Sequence, residues 1–322
     1  MATNYRVKAR CRQHGIMRFN ELPFVFTFTA MGSPCELQFY APNDFIAEKI
    51  AQQIMADVYR LERKYSRYRP DSFLSKINQV AKSGGSISID EETEGLLNYA
   101  QTCYELSDGL FDITSGILRQ AWRFDTNVLP DDKQIQTLLK KVGLQYIRWG
   151  NSTLTFLQAG MEIDFGGIVK EYAADRAMTL CLNSDISHGI VNLGGDIKII
   201  GAHPDDSAWR VGIQHPRNKI KVWKTLKLKS GALASSGDYE RCMVINGVRY
   251  GHILNAKTGY PVKHLAAVSV VADLCVVAGS ASTIAMLKEK DGERWLKSLD
   301  LQNYTFKNAL IRDVRLFRGV GA

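Results

Sequence analysis

Six stretches of this chain set glycines and hydrogen-bonding side chains directly beside apolar runs, the raw material of a ligand site. In DFGGIVKEYAADRA (164–177) a turn leads to a helix start at Gly166–Gly167, followed by Lys170 and Asp175. Free backbone N–H groups at a helix start suit a phosphate, and Lys170 adds charge. The stretch matches neither GxxxxGK[ST] nor GxGxxG, so phosphate contact is suggested but not specified. IVNLGGDIKIIG (190–201) places Gly194, Gly195 and Asp196 between two apolar runs. Such a pair is either a plain tight turn or a place where a ligand lies against bare backbone. ASSGDYER (234–241) sets Ser235, Ser236 and Gly237 ahead of a strand, and GHILNAKTGYPV (251–262) returns with His252. A lone histidine in a strand is more often a packed residue than a catalyst.

The remaining three lie earlier. MGSPCEL (31–37) begins at Met31 with a Gly-Ser-Pro turn that a hairpin alone would explain. In YSRYRPDSFLSKIN (65–78), Tyr65 and Tyr68 either stack on a flat ring or pack. GLFDITSGILRQAWRF (109–124) alternates Asp112 and Thr114 with apolar neighbours and carries Trp122. No GxSxG elbow, HExxH or Ser/His/Asp order occurs, which argues against a hydrolase triad. Cys11, Cys35, Cys103, Cys181, Cys242 and Cys275 lie far apart with no CxxC spacing, so free thiols in a reducing compartment are expected in place of zinc or disulfides.

Positioning these residues requires mixed elements. Ile46, Ile50, Ile54, Val58 and Leu61 recur at helical spacing and give a helix near 43–68, after a strand near 24–40. Helices are expected near 91–107, 131–142 and 167–182, and YSRYRPDSFLSKIN reads as a helix end passing into a loop. Short β-rich runs fill 188–271, a helix covers 275–289, and a hairpin ends the chain at 303–318. Helices and strands do not alternate strictly and hairpin spacings favour antiparallel pairing. The expected fold is mixed α+β, one compact unit of two interlocked α/β halves with largely antiparallel sheets.

A net charge of +8 admits nucleic acid, a membrane surface or an anionic ligand, but the cations are scattered and no nucleic-acid recognition motif accompanies them. The first twenty residues hold five Lys/Arg and no acid, without the apolar core of a secretory signal or lipoprotein; this gives a basic extension over 1–22, a domain over 23–322 and a cytoplasmic location. The apolar run at 265–287 contains Asp273 and reads as a buried strand turning into a helix, with no stable membrane insertion.

The order of these motifs resembles the ApbE family of FAD:protein FMN transferases from Met31 to about Leu287. The resemblance rests on MGSPCEL, SRYRPDSFLSKIN, GLFDIT…AWRF, DFGGIVKEYAADRA, VNLGGDI…WRVGIQHP, ASSGDYER and GHILNAKTGYPV. It implies FAD bound in a cleft between two α/β halves, with Mg²⁺ on its diphosphate. FMN would pass to a Thr or Ser hydroxyl of an acceptor flavoprotein, releasing AMP. Carried over by position, Met31, Tyr68, Asp112, Trp122 and Asp175 belong to cofactor binding, and Lys170, Gly194, Gly195, Ser235, Ser236 and Gly237 line the cleft near the nucleotide. His252 would sit closest to the reacting phosphate, as the candidate catalytic base or a diphosphate ligand.

The chain also departs from the family pattern. The family's C-terminal helix carries A-D-A-x-x-T, whose Asp and Thr help hold the metal, whereas this chain has Gly279 four residues before Thr283. Residues four apart share a helix face, so an aspartate there with Thr283 would form a two-oxygen grip that Gly279 cannot supply. Asp273, Asp196 or backbone oxygens would then complete the site with Thr283. Glu171 replaces the family's glycine after the lysine, Asn255-Ala256 its Asp-Pro, and Gly251 the first of its paired histidines. Three activities fit: FMN transfer, FAD binding without turnover, and FAD hydrolysis to FMN and AMP.

Overall fold

A computed structural model describes residues 22–308, so the basic segment at 1–21 and most of the hairpin expected at 303–318 lie outside the described residues. The chain starts with β1 (Phe24–Ala30) and β2 (Ser33–Phe39), reversed at Met31 (φ 52°) and Gly32 (φ 72°). What reads as one strand near 24–40 is therefore a tight hairpin, since two successive positive φ values match the twist of paired strands. Helix α1 (Asp44–Tyr65) is capped by Asn43, whose side chain accepts from Ile46 N at 3.0 Å. Helix α2 (Phe73–Ser83) occupies the segment read as a loop; Ser72 caps it, and Leu74, Ile77 and Ala81 form its buried face.

β3 (Gly85–Ser88), α3 (Glu91–Leu106), a 3₁₀ segment (Ile113–Gln120), α4 (Asp132–Leu139), β4 (Ile147–Gly150) and β5 (Thr153–Phe156) follow. Then come α5 (Val169–Leu182), β6 (Gly189–Leu193), β7 (Asp196–Gly201), β8 (Trp209–His215), β9 (Asn218–Leu228) and β10 (Ala232–Gly237). The described chain closes with β11 (Cys242–Ile245), β12 (Val248–Gly251), β13 (Leu265–Ala272), α6 (Cys275–Leu287), α7 (Gly292–Ser298) and β14 (Gln302–Lys307). No helix among the described residues is long and apolar enough to cross a membrane.

The centre is a seven-stranded antiparallel sheet in the order β1-β2-β6-β7-β10-β13-β14. Helices α1, α5 and α6 share one core with it. The β8–β9 hairpin covers the opposite face through Trp209, Val211, Ile213 and Leu226, packed with Ile197, Ile199 and Leu233. A third cluster joins the 3₁₀ segment and α4 to the β11–β12 hairpin through Trp122, Ile135 and Met243. The expected mixed α+β fold with antiparallel sheets is thus the fold observed.

Strand alternation decides where the polar residues of β7 and β10 go. Ile197 and Ile199 face the β8–β9 hairpin, so Asp196 and Lys198 point to the helix side, where both are buried. On β10, Ala232 and Ala234 pack with the helices while Leu233 faces the hairpin; Ser236 therefore shares the helix side and Ser235 the other.

Candidate functional site

The site forms at the end of the sheet where the β1–β2 and β6–β7 turns meet. Gly194 (φ 64°) and Gly195 (φ 97°) make the two-residue turn between Leu193 and Asp196. A Cβ on Gly194 would lie 2.5 Å from Ser33 Cβ and 3.6 Å from Lys170 Nζ, so only glycine lets the two turns and the lysine come together. A Cβ on Gly195 would meet nothing within 4 Å. That residue presents no side chain to the open space, and its N–H donates to Asn192 Oδ1 at 2.8 Å.

Lys170 and Glu171 sit in the first turn of α5, where the helix end favours an anion. Lys170 Nζ lies 2.7 Å from Asp196 Oδ2. Burial works against the ammonium, but Asp196 and Glu171 outweigh it and hold Lys170 charged well above the usual lysine range. Burial raises Asp196, with Lys170 opposing the shift. Glu171 is raised by burial and then by the neighbouring Asp196 charge, with Lys170 opposing both. Its Oε2 is buried without a hydrogen-bond partner, an expensive state for a carboxylate.

Helix α6 lines the other side. Ser236 Oγ lies 2.8 Å from Thr283 Oγ1 and 2.7 Å from Ser282 Oγ, which donates to the Gly279 carbonyl at 2.9 Å. The space beside Gly279 is already filled: a Cβ there would fall 2.5 Å from Glu171 Cγ and 2.7 Å from Glu171 Oε1. The missing carboxylate on α6 is therefore matched by one from α5. Hydroxyl and carboxylate oxygens are the donors a hard divalent cation takes, and the orphaned Glu171 oxygen is one that a cation would satisfy, so these residues fit Mg²⁺. Among the described residues no group of three or more His, Cys, Asp or Glu forms a complete cage, which is the usual situation for Mg²⁺ completed by substrate phosphates.

A cationic and aromatic group stands nearby. Tyr68, exposed, accepts from Arg67 at 2.8 Å and from Arg241 at 2.7 Å, and Arg67 is itself tied to Asp164. These arginines were not anticipated, although SRYR and DYER carry them. His252 has part of its surface open to solvent. The protein packed around the rest disfavours its charged form, and Arg241, Arg67 and Lys170 add positive charge, pulling it down to about 4. An open depression of about 410 Å³, lined by Gly32, Tyr59, Glu62, Ser66 and Tyr68, adjoins the Met31 turn; Lys170, Glu171 and Asp196 do not line it.

Several residues expected at the cofactor are held by bonds within the protein. Asp112 is buried with both oxygens taken: Oδ1 accepts from Thr114 N and Oγ1, and Oδ2 accepts from Leu144 N at 3.2 Å. Trp122 is 3% exposed, stacks between Phe124 and Tyr250, and donates to the Gly259 carbonyl at 2.7 Å, fixing the loop after His252. Asp175 caps α6, accepting from Cys275 N at 2.8 Å and Val276 N at 3.0 Å. Ser235 pairs with Ser269 at 2.7 Å, away from Thr283. Asp273 has its carbonyl bound by Lys198 and is exposed at the start of α6, so it does not stand in for a metal carboxylate beside Thr283. Asn255 accepts from Lys257 N at 2.9 Å and Thr258 N at 3.1 Å, a turn that an aspartate would make equally well. Gly251 is required where it stands, since a Cβ would lie 2.9 Å from Asp238 Cβ.

The FAD:protein FMN transferase of Chlamydia pneumoniae is 28% identical over 265 residues, covering 79% of this chain and 82% of that protein. The Escherichia coli K12 protein of the same name is 28% identical over 252 residues, covering 75% and 70%. The crystal structure of the ApbE protein from Thermotoga maritima superposes with a TM-score of 0.81 at 31% identity, over 88% of this chain and 94% of that one. The pattern of the ApbE family matches residues 31–305, and this chain belongs to the ApbE family.

Proposed function

We propose that this chain is an FAD:protein FMN transferase, moving FMN from FAD to a Thr or Ser hydroxyl of an acceptor flavoprotein and releasing AMP. The observation that carries the reading is Lys170, held charged by Asp196 at 2.7 Å directly beside the glycine turn whose backbone is open to a ligand. A diphosphate lying against that side-chain-free turn would find the Lys170 ammonium beside it, a positive charge placed to stabilise charge developing on phosphoryl oxygens. In the transfer, the acceptor oxygen bonds to the phosphorus on the FMN side and the P–O bond to the AMP half breaks, its electron pair leaving on AMP. His252, neutral at pH 7 because of its surroundings, is the candidate to take the acceptor's proton.

Thr283, with the carboxylates of the cleft, would hold Mg²⁺, which when bound neutralises charge on the diphosphate. The reading of the chain as a flavin binder without turnover rested on Gly279 and Asn255. Glu171 fills the place beside the first and a turn explains the second, so neither supports it now. Free cysteines at Cys35, Cys103, Cys181, Cys242 and Cys275 support our further proposal that the acceptor is modified in the cytoplasm.

The test is mass spectrometry of an acceptor flavoprotein incubated with the chain, FAD and Mg²⁺. One FMN per Thr or Ser with an equal amount of AMP is expected. No adduct at saturating metal overturns the proposal, and free FMN without an acceptor assigns the same site to hydrolysis.

A further inference from the structure

We propose that Glu171 is a metal-ligating carboxylate of this site, and that Gly279 is glycine because the Glu171 side chain occupies the space where a residue-279 side chain would begin. The inference rests on the transferase reading for the identity of the site, but the observations that carry it are geometric. Glu171 is buried at 8% exposure with Oε2 unpartnered, although Lys170 beside it is engaged by Asp196. A charged group in that condition persists where another charge answers it, or remains protonated as packing.

The position distinguishes these roles. A Cβ on Gly279 would overlap Glu171 Cγ at 2.5 Å, Oε1 at 2.7 Å and Cδ at 2.9 Å. The carboxyl group thus stands against α6 one helical turn before Thr283, whose hydroxyl lies on the same face. This is the two-oxygen grip that an aspartate at 279 would make with Thr283, with the acid supplied from α5. Glu171 and Gly279, two unrelated departures in sequence, form one exchange in space. Asp196 contributes through Lys170, with which it forms an ion pair at 2.7 Å, although its Oδ2 has no hydrogen-bond partner either.

The probe is Mn²⁺, followed by loss of its free-ion EPR signal, with FAD binding measured separately in EDTA by flavin fluorescence. Wild type should bind Mn²⁺ in the presence of FAD. E171Q should still bind FAD in EDTA but lose Mn²⁺ affinity by at least about tenfold, the scale on which metal sites respond to loss of a supporting group. The exchange variant E171G/G279D should recover it.

Mn²⁺ binding by E171Q equal to wild type overturns the inference, as does FAD binding by wild type without any Mn²⁺. Absence of FAD binding by wild type overturns instead the transferase reading. A measurement on wild type removes dependence on the variants folding. Fe²⁺ substituted at the site and treated with peroxide should cut the backbone near residue 171 and near 279–283, and cutting elsewhere alone refutes the assignment.

Discussion

Gly279→Ala perturbs the α5–α6 contact at one atom, and its sign depends on a single neighbour. In an unobstructed helix interior the change would stabilise by about 1 kcal/mol, because alanine loses less backbone entropy than glycine. Here the new Cβ falls 2.5 Å from Glu171 Cγ. Cγ is the first atom beyond the Glu171 Cβ, so relief requires swinging the whole carboxyl arm or separating the two helices. Overpacking of this kind costs about 1–3 kcal/mol, leaving a net loss of about 1 kcal/mol after the helix gain. With Glu171→Ala already in place the obstruction is gone, and Gly279→Ala should stabilise by about 0.5–1 kcal/mol. The coupling between the positions is then about 2 kcal/mol, within the range for residues in contact. Urea unfolding of the four proteins in EDTA measures it, provided their m-values agree. A gain from Gly279→Ala in the wild-type background, or a coupling below about 0.5 kcal/mol, would refute the steric argument.

Glu171 also sets a pH dependence. Its folded value, raised by burial and Asp196 to about 8 from an ordinary 4.5, makes the folded state bind more protons than the unfolded one in between, so metal-free stability falls as pH rises through that window. His252, lowered to about 4 from 6.5, works oppositely but only below 6.5; from pH 6.5 to 8 unfolding in EDTA should therefore show a loss of at most about 1.4 kcal/mol per pH unit that is absent in Glu171→Gln. Asp175→Ala should cost about 1–2 kcal/mol in urea unfolding, as loss of a helix cap, with Asp175→Asn milder because its amide oxygen still accepts. Lys170→Met should weaken FAD binding at least about tenfold and also destabilise the fold by about 2–5 kcal/mol through the unpaired Asp196. Adding Asp196→Asn should restore stability without restoring FAD affinity; recovery of both in flavin-fluorescence titration would give Lys170 a purely structural role.

The sequence shows elements clearly where one periodicity runs unbroken. Helix α1 and the strand-to-helix passage of β13 and α6 are plain for that reason. It misleads where the chain reverses without breaking the pattern: β1 and β2 alternate alike on both sides of Met31, and the short Gly-Ser-Pro signal between them is outweighed by that continuity. Strand β10 escapes a hydrophobic reading because Ala232, Ala234 and Ser236 on its helix side are small, as close packing of α6 demands. For the site, the glycine turn and Lys170 are visible as motifs, but Asp112, Trp122 and Asp175 look the same in sequence whether they touch a ligand or hold a loop. Which occurs depends on partners such as Gly259 and Cys275, contributed from distant segments.

The Glu171–Gly279 pair shows why departures from a motif cannot be scored one at a time. Each looks like damage: a bulky acid where the family has glycine, and a glycine where it has an acid. Their combined effect is to move a carboxylate from the middle of α6 to the first turn of α5. The new origin has an electrostatic advantage, because the free N–H groups at a helix N-terminus favour an anion by about 0.3–1 kcal/mol or somewhat more when partly buried, whereas a helix middle offers no such support. The longer glutamate reaches across the helix contact and the glycine leaves it room. The ligand can thus change its place in the chain while the oxygen keeps its place beside Thr283, and it is the oxygen's place that the chemistry requires.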